Sequence, residues 1–324
     1  MSVEEKKIFL ASPRGFCAGV ERAIEIVEIS LKLFGAPLYV HHQIVHNRHV
    51  VEKFSSRGVI FVDSIEEVPD VAHVIFSAHG VSPQIKIRSI EKKLEIIDAT
   101  CPLVTKVHLE AIKYSQDGFH ILLIGHKNHA ETIGTFGEAP DKIHIIENCR
   151  DIESMEFPPD TKLAYLTQTT LSISDAKDLI TALKIKFPQI QSTGSTGICY
   201  ATTNRQEAAA KIAQEVDVVF VIGSQNSSNS NRLKELAEYL GKPAYLIDDE
   251  SNIYPDWISG NIRKIGVTAG ASAPEELVTR TVNRLRNEFQ FTEIEEMKIK
   301  EENIVFKLPQ ELLRSAQFEH RKRT

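Results

Sequence analysis

Cysteine is scarce in this chain. Four cysteines spread over 324 residues are too few and too scattered for a disulfide scaffold. Each thiol is therefore read as a core residue, a catalytic group or a metal ligand. Excess positive charge is missing too. The formal net charge is -6 and no basic stripe runs along the chain, which argues against a duplex nucleic-acid binder. The one basic run, Arg321-Lys322-Arg323, is a short solvated tail. No apolar run approaches the length of a membrane span, so no membrane partner is expected. The opening residues, Met1-Ser2-Val3-Glu4-Glu5-Lys6-Lys7, resemble neither a signal nor a transit peptide, and the expected location is the cytoplasm. No low-complexity linker interrupts the chain, so its domains are expected to pack tightly.

What is present is an ordinary globular composition, 42% hydrophobic and 25% charged, with enough apolar residues for real cores. At roughly 150 residues per domain, length alone indicates about two domains. Internal repeats raise the number to three. The first unit opens with Ile8-Phe9-Leu10-Ala11 and reaches Pro13-Arg14-Gly15-Phe16-Cys17. A helical pattern follows, with Val20, Ala23, Ile24, Val27 and Leu31 on one face. The second unit runs from Leu94 to Asp98-Ala99-Thr100-Cys101 and into a helix carrying Val104, Val107 and Ala111. The third has Gly197-Ile198-Cys199 before a helix from about Thr203, and its opening strand is the weakest. In each unit one cysteine stands where an extended segment gives way to a helix.

The parallel continues beyond the cysteines. A second strand in each unit ends in a polar cluster: Val45-His46-Asn47, His129-Ala130-Glu131 and Ser227-Ser228-Asn229. A third strand precedes an acidic turn. A fourth ends in Ser77-Ala78-His79-Gly80, Leu166-Thr167-Gln168-Thr169 or Thr268-Ala269-Gly270-Ala271-Ser272. Strands alternating with helices predict an α/β fold of parallel sheets. Ligands gather at the carboxyl ends of such strands, where the cysteines and polar clusters fall. Three small parallel-sheet α/β domains are expected, over 1–99, 100–194 and 195–285. A tail over 286–324 would add a strand at Asn303-Ile304-Val305-Phe306-Lys307-Leu308.

A lone cysteine is most often a small buried hydrophobe. Three at matching stations of three repeats are not independent core residues. A helix N-terminus favours the thiolate. Pro102 suits a first helical position, and Gly15 and Gly197 let backbone approach a bulky inorganic group. Zinc sites use closely spaced ligand pairs, which are missing here. A [4Fe–4S] cluster normally takes four thiolates, so three would leave one iron open as a Lewis acid. Cys149 lies after a third strand, at the wrong station, and is read as a bystander.

Around the inferred centre stand His46, His79, His129, Ser227, Ser228, Asn229 and Ser272. Neutral donors, imidazoles and helix N-termini suit an oxygen-rich anion such as a diphosphate. Lys and Arg are missing from these clusters, which points to directed hydrogen bonds over bulk charge. Glu131 is the one carboxylate in the set. Beside His129 and facing Thr169, it is placed to supply protons in a closed site.

The motifs Pro13-Arg14-Gly15-Phe16-Cys17-Ala18-Gly19-Val20, Val45-His46-Asn47-Arg48, Ser77-Ala78-His79-Gly80-Val81 and Asp98-Ala99-Thr100-Cys101-Pro102-Leu103-Val104 resemble the 4-hydroxy-3-methylbut-2-enyl diphosphate reductase family. So do Thr167-Gln168-Thr169-Thr170-Leu171-Ser172, Ile198-Cys199-Tyr200-Ala201-Thr202-Thr203-Asn204-Arg205-Gln206, Ser227-Ser228-Asn229-Ser230-Asn231-Arg232-Leu233 and Gly266-Val267-Thr268-Ala269-Gly270-Ala271-Ser272-Ala273-Pro274. The resemblance spans nearly the whole chain. It implies an oxidoreductase of the last step of non-mevalonate isoprene biosynthesis, with a pseudo-threefold trefoil of domains around one [4Fe–4S] cluster. By the same resemblance Cys17, Cys101 and Cys199 ligate iron. His46, His79, His129, Thr169, Ser227, Ser228, Asn229 and Ser272 bind substrate, and Glu131 and Thr169 are catalytic. Gln168, Thr203 and Asn204 would stand behind them. Two electrons and two protons would remove the substrate hydroxyl as water, giving isopentenyl and dimethylallyl diphosphates. The implied electron donor is reduced ferredoxin or flavodoxin. The rival expectations are a non-redox iron–sulfur dehydratase, an iron–sulfur redox sensor and a zinc-binding structural protein.

Overall fold

The computed structural model describes residues 6–192 and 197–314. The chain begins with β1 (Lys7–Ser12) and α1 (Ala18–Phe34). Next come β2 (Leu38–His41), α2 (Arg48–Ser55), β3 (Val59–Val62), β4 (His73–Phe76), α3 (Pro83–Glu91) and β5 (Glu95–Asp98). Then follow α4 (Pro102–Gln116), β6 (His120–Ile124), α5 (Ala130–Phe136), β7 (Ile143–Ile146), α6 (Cys149–Ser154), β8 (Leu163–Thr167) and α7 (Ile173–Lys186). The last stretch holds α8 (Tyr200–Glu215), β9 (Val218–Ile222), α9 (Ser228–Tyr239), β10 (Ala244–Ile247), β11 (Lys264–Ala269), α10 (Glu275–Phe289) and β12 (Glu293–Lys298).

The fold is α/β with three parallel sheets, as the alternation of strands and helices predicts. Their strand orders are β10-β9-β11-β1-β12, β3-β2-β4-β5 and β7-β6-β8. The elements fall into two compact units. One holds residues 6–18, His46–Val50 and Tyr200–Val305, and with them the five-stranded sheet. The other holds Gly19–Val45, Val51–Cys199 and residues 306–314, and with them the two smaller sheets.

Sheet membership is offset from the sequence repeats by one strand. β1 does not pair with the strands that follow it. It lies between β11 and β12, with Lys7 opposite Lys264 on one side and Glu293 on the other. β5 likewise closes the sheet of β2–β4. The weak third opening strand is reduced to a single parallel bridge between Gln191 and Ala164 of β8. No segment that leads into a cysteine shares a sheet with the strand that follows that cysteine's helix, and α1, α4 and α8 carry the chain onward to the next sheet. The reason is topological: a parallel neighbour is reached only by a long crossover, and here the cysteine-led helix is spent leaving the sheet. The boundary placed near residue 194 lies outside the described residues, as does the basic run at 321–323.

The tail does add a strand, but ten residues before the expected one. Residues 303–308 carry no regular structure, while Glu293–Lys298 pairs along the whole of β1. Three of its six residues are glutamates and one is lysine, which reads as a solvated loop. An edge strand needs only its backbone to pair, and charge on an edge is usual.

The five-stranded sheet explains its own sequence. Val218–Ile222 is buried at every position, as a central parallel strand covered on both faces requires. Phe220, Ile222, Ile8 and Val267 meet Leu277, Val278 and Leu285 of α10 on one face. Val219, Val221 and Phe9 meet Ala208, Ala209, Ile212 and Ala213 of α8 on the other. Small side chains let α8 approach closely. Truncating the fully buried Phe220 to alanine should cost about 3–5 kcal/mol through lost burial and the cavity left behind. Denaturant unfolding of Phe220→Ala measures this, and a loss below about 1 kcal/mol would contradict a packed central strand.

Candidate functional site

The three cysteines are held in the same way. The amide of Cys17 donates to the carbonyl of Ala271 at 3.3 Å, that of Cys101 to Ala78 at 3.0 Å and that of Cys199 to Thr169 at 3.1 Å. Each acceptor lies two residues past a strand end, after β11 (ending at Ala269), β4 (Phe76) and β8 (Thr167) respectively. Each cysteine immediately precedes the first residue of α1, α4 or α8. All three side chains are half-buried and none is in a disulfide. Pro102 occupies the first turn of α4, where its missing N–H costs no helix bond. Gly197 has φ +75°, and a Cβ there would stand 2.3 Å from Thr167 Oγ1, so the turn into Cys199 needs glycine twice over. Gly15 holds φ +64° at the equivalent position before Cys17. Cys149 differs: it is exposed and opens the six-residue α6, which Asn148 caps.

The polar residues are placed by strand ends and helix starts. In the unit of the five-stranded sheet, Ser227 caps α9, its Oγ accepting from the Ser230 amide at 3.3 Å. Ser230 is wedged between strand ends, since a Cβ on Gly223 or Gly270 would fall 2.1 or 2.0 Å from its Oγ. That close approach seats the start of α9 on β9 and β11. Ser272 Oγ donates to the His46 carbonyl at 2.8 Å and lies 3.4 Å from Ser227 Oγ. The stretch after His46 is fixed to the same sheet. The Arg48 amide donates to Ser224 Oγ at 3.0 Å, and Arg48 and His49 reach Asp249 Oδ2 at 3.2 and 2.9 Å. Ser228 is half-buried beside them.

Asn229 is the anomaly of this unit. Its side chain is buried, yet neither Oδ1 nor Nδ2 has a protein partner. Leaving a buried donor or acceptor unmade costs about 1–3 kcal/mol for each. An amide held so at a helix start, beside three serines, is suited to a polar ligand that takes both a donor and an acceptor.

In the unit of the two smaller sheets, His79 and His129 stand edge to face with ring centroids 5.8 Å apart. His79 Nδ1 lies 3.3 Å from Ser77 Oγ. His129 caps α5, its Nδ1 accepting from the Glu131 amide at 3.2 Å; in the neutral ring the proton therefore sits on Nε2. Glu131 is buried. Its Oε1 accepts from the Thr169 amide at 2.6 Å and its Oε2 from Thr169 Oγ1 at 2.9 Å. Burial raises its carboxyl from the ordinary range to about 7, against the two bonds from Thr169 that favour the ionised form. Thr169 also accepts the Cys199 amide, so one residue joins the carboxyl to a cysteine turn. Gln168, behind it, accepts from the His126 amide at 3.0 Å and donates to Thr170 Oγ1 at 2.7 Å.

The structure thus brings together His46, Ser227 and Ser272 in one unit, and His79 with His129 and Glu131 with Thr169 and Cys199 in the other. Asn204 is turned elsewhere, its Nδ2 donating to Glu302 at 2.9 Å. Sequence reading passed over Arg205, which is buried. An arginine on the alanine-rich α8 was the available signal. Among the described residues no group of three or more His, Cys, Asp or Glu is close enough to hold a single metal ion.

Three parallel sheets with a cysteine at each passage between them, and hydroxyl, amide and imidazole groups at the strand ends, define a repeated α/β protein with polar strand ends. The chain belongs to the LytB protein family, whose model matches residues 8–286. It is 52% identical over 309 residues to the 4-hydroxy-3-methylbut-2-enyl diphosphate reductase of Mannheimia succiniciproducens, covering 94% of this chain and 98% of that one. It is 51% identical over 306 residues to the enzyme of the same name from Rhodopirellula baltica, covering 94% and 95%. The solved E-1-hydroxy-2-methyl-but-2-enyl-4-diphosphate reductase of Plasmodium falciparum superposes with a TM-score of 0.95 at 43% identity, covering 98% of this chain and 99% of that one.

The raised carboxyl of Glu131 has a sign that can be tested. With the carboxyl raised to about 7, the folded protein keeps a proton between about 4.5 and 7 that the unfolded chain has released. Stability from this group is therefore complete below pH about 4.5 and falls as pH rises toward 7, by about 1.4 kcal/mol per pH unit. In Glu131→Gln this stretch of the profile should flatten. Denaturant unfolding at pH 5, 6 and 7 measures it, and parallel profiles for the two proteins would contradict a protonated buried acid.

Proposed function

We propose that this chain catalyses the reductive dehydroxylation of (E)-4-hydroxy-3-methylbut-2-enyl diphosphate to isopentenyl and dimethylallyl diphosphates, the last step of the non-mevalonate pathway. The LytB family is one of iron–sulfur enzymes. The observation that carries the reading is the buried Glu131 carboxyl, whose two bonds from Thr169 lead directly to the turn of Cys199. A buried acid tied to a thiol-bearing helix entry is what coupled proton and electron delivery requires.

The donor set fits an iron–sulfur cluster. Cys17, Cys101 and Cys199 are half-buried thiols at helix N-termini, where the thiolate is favoured, and they would hold a [4Fe–4S] group. When bound, such a cluster supplies two electrons in single steps and a Lewis-acidic iron. Cys149, exposed on α6, takes no part.

The remaining steps belong to the chain's own side chains. The amide of Asn229 and the hydroxyls of Ser227, Ser228 and Ser272 bind the diphosphate, together with His46, His79 and His129. Their bonds are directed and mostly neutral, so they fix the anion without a strong attractive field. Glu131 gives its proton to the leaving oxygen while the C–O bond breaks, and Thr169 steadies both the carboxyl and the substrate hydroxyl. Two electrons and two protons enter and one water leaves. Protonation of the allylic carbon frame at either end yields the two products. Reduced ferredoxin or flavodoxin supplies the electrons. No described helix is long and apolar enough to cross a membrane, and a cytoplasmic setting suits these donors. We also read the chain as three α/β domains, 1–99, 100–194 and 195–285, with a tail over 286–324.

The test is turnover of the anaerobic protein with substrate, with and without an artificial reductant. Both products should form, and only with reductant. Conversion without reductant would replace the reductase by a dehydratase. Glu131→Gln should lower turnover by about 10²–10⁴-fold with substrate affinity retained, whereas His129→Ala should weaken affinity. Near-normal turnover in Glu131→Gln would move the proton source elsewhere.

A further inference from the structure

Arg205 is among the largest fully buried side chains of the protein. A buried cation is stable only when paired and fully hydrogen-bonded, and its bonds fall in two groups. Nε donates to the Gly15 carbonyl at 3.0 Å and Nη2 to the Phe16 carbonyl at 3.1 Å. Those are the two residues before Cys17. Nη1 donates to the Ala201 carbonyl at 3.1 Å and to both carboxylate oxygens of Glu302 at 3.0 and 3.2 Å. Glu302 comes after β12, beyond the residues matched by the family model, and also accepts from Asn204. The same device recurs in the other unit. There Arg22 donates through Nη1 to the carbonyl of Thr100, the residue before Cys101, at 3.0 Å, and through Nε to the Lys307 carbonyl at 2.8 Å. In each case an arginine holds a cysteine turn and the C-terminal segment holds the arginine.

We propose that Glu302 is a positioning residue for the metal centre: it neutralises and orients Arg205, which in turn fixes the backbone that presents Cys17. The inference rests on Cys17 being an iron ligand. An arginine fork is rigid, and two carbonyls gripped by one guanidinium leave the turn little freedom. Without Glu302 the same fork would lose two bonds and carry an uncompensated charge beside the Cys17 turn. Two consequences follow. The ligand turn loosens, so iron leaves more readily. The bare cation favours the more negative, reduced form of the centre, so its midpoint potential moves in the positive direction.

The experiment compares wild-type holoprotein with Glu302→Gln, Glu302→Asp and Glu301→Gln. Glu301 is an exposed neighbour whose carboxylate pairs with Lys298. Iron release to a chelator and the midpoint potential are read for each. Glu302→Gln should release iron about 10–100-fold faster, the usual cost of removing a residue that orients a metal ligand, and its potential should rise. Glu302→Asp, which keeps the charge, should recover most of both, and Glu301→Gln should match wild type. Wild-type release rate and potential in Glu302→Gln would overturn the proposal. So would faster release with an unmoved potential and no recovery in Glu302→Asp, which would make Glu302 a plain brace for α8. Wild-type protein that takes up no iron under anaerobic reconstitution would instead remove the ligand assignment beneath it.

Discussion

The amide of each of three cysteines donates to a carbonyl two residues beyond a parallel strand. Much of the site follows from those three bonds. They set where a helix starts relative to a sheet, and so where its dipole and first side chains point. A thiol at such a place is partly shielded, favoured as thiolate and reached from the strand ends. The same geometry places Ser227, His129 and their neighbours, because they too stand between a strand end and a helix start.

Around these bonds the chain concentrates unfavourable groups. A buried acid sits at Glu131, an unmatched amide at Asn229, and a buried cation at Arg205. Each carries a cost that a packed apolar core would avoid. The five-stranded sheet, with β9 buried throughout, supplies stability against which such groups can be kept. Local rules broken at strand ends and obeyed in the strands between them are the mark of a functional edge.

Much of this was legible in the sequence. The cysteine stations, the parallel-sheet class and the polar clusters follow from strand-to-helix spacing alone. Sheet membership was not legible, because periodicity tells that Ile8–Ala11 is a strand but not which neighbour it takes. β12 was missed because its glutamates hide a strand whose only demand is backbone pairing. The burial of Glu131 was equally hidden. A glutamate in a first helical turn is commonly a surface residue, and only the Thr169 bonds reveal its enclosure. The link from Glu302 to Arg205 spans 97 positions and lies beyond any local pattern.

If the three tethered cysteines act as one ligand set, iron content should obey a simple rule. Anaerobically reconstituted wild-type protein should bind about four irons. Cys17→Ser, Cys101→Ser and Cys199→Ser should each lose most of that iron, while Cys149→Ser should keep all of it. Full iron in any of the first three variants, or iron lost from Cys149→Ser, would contradict the assignment.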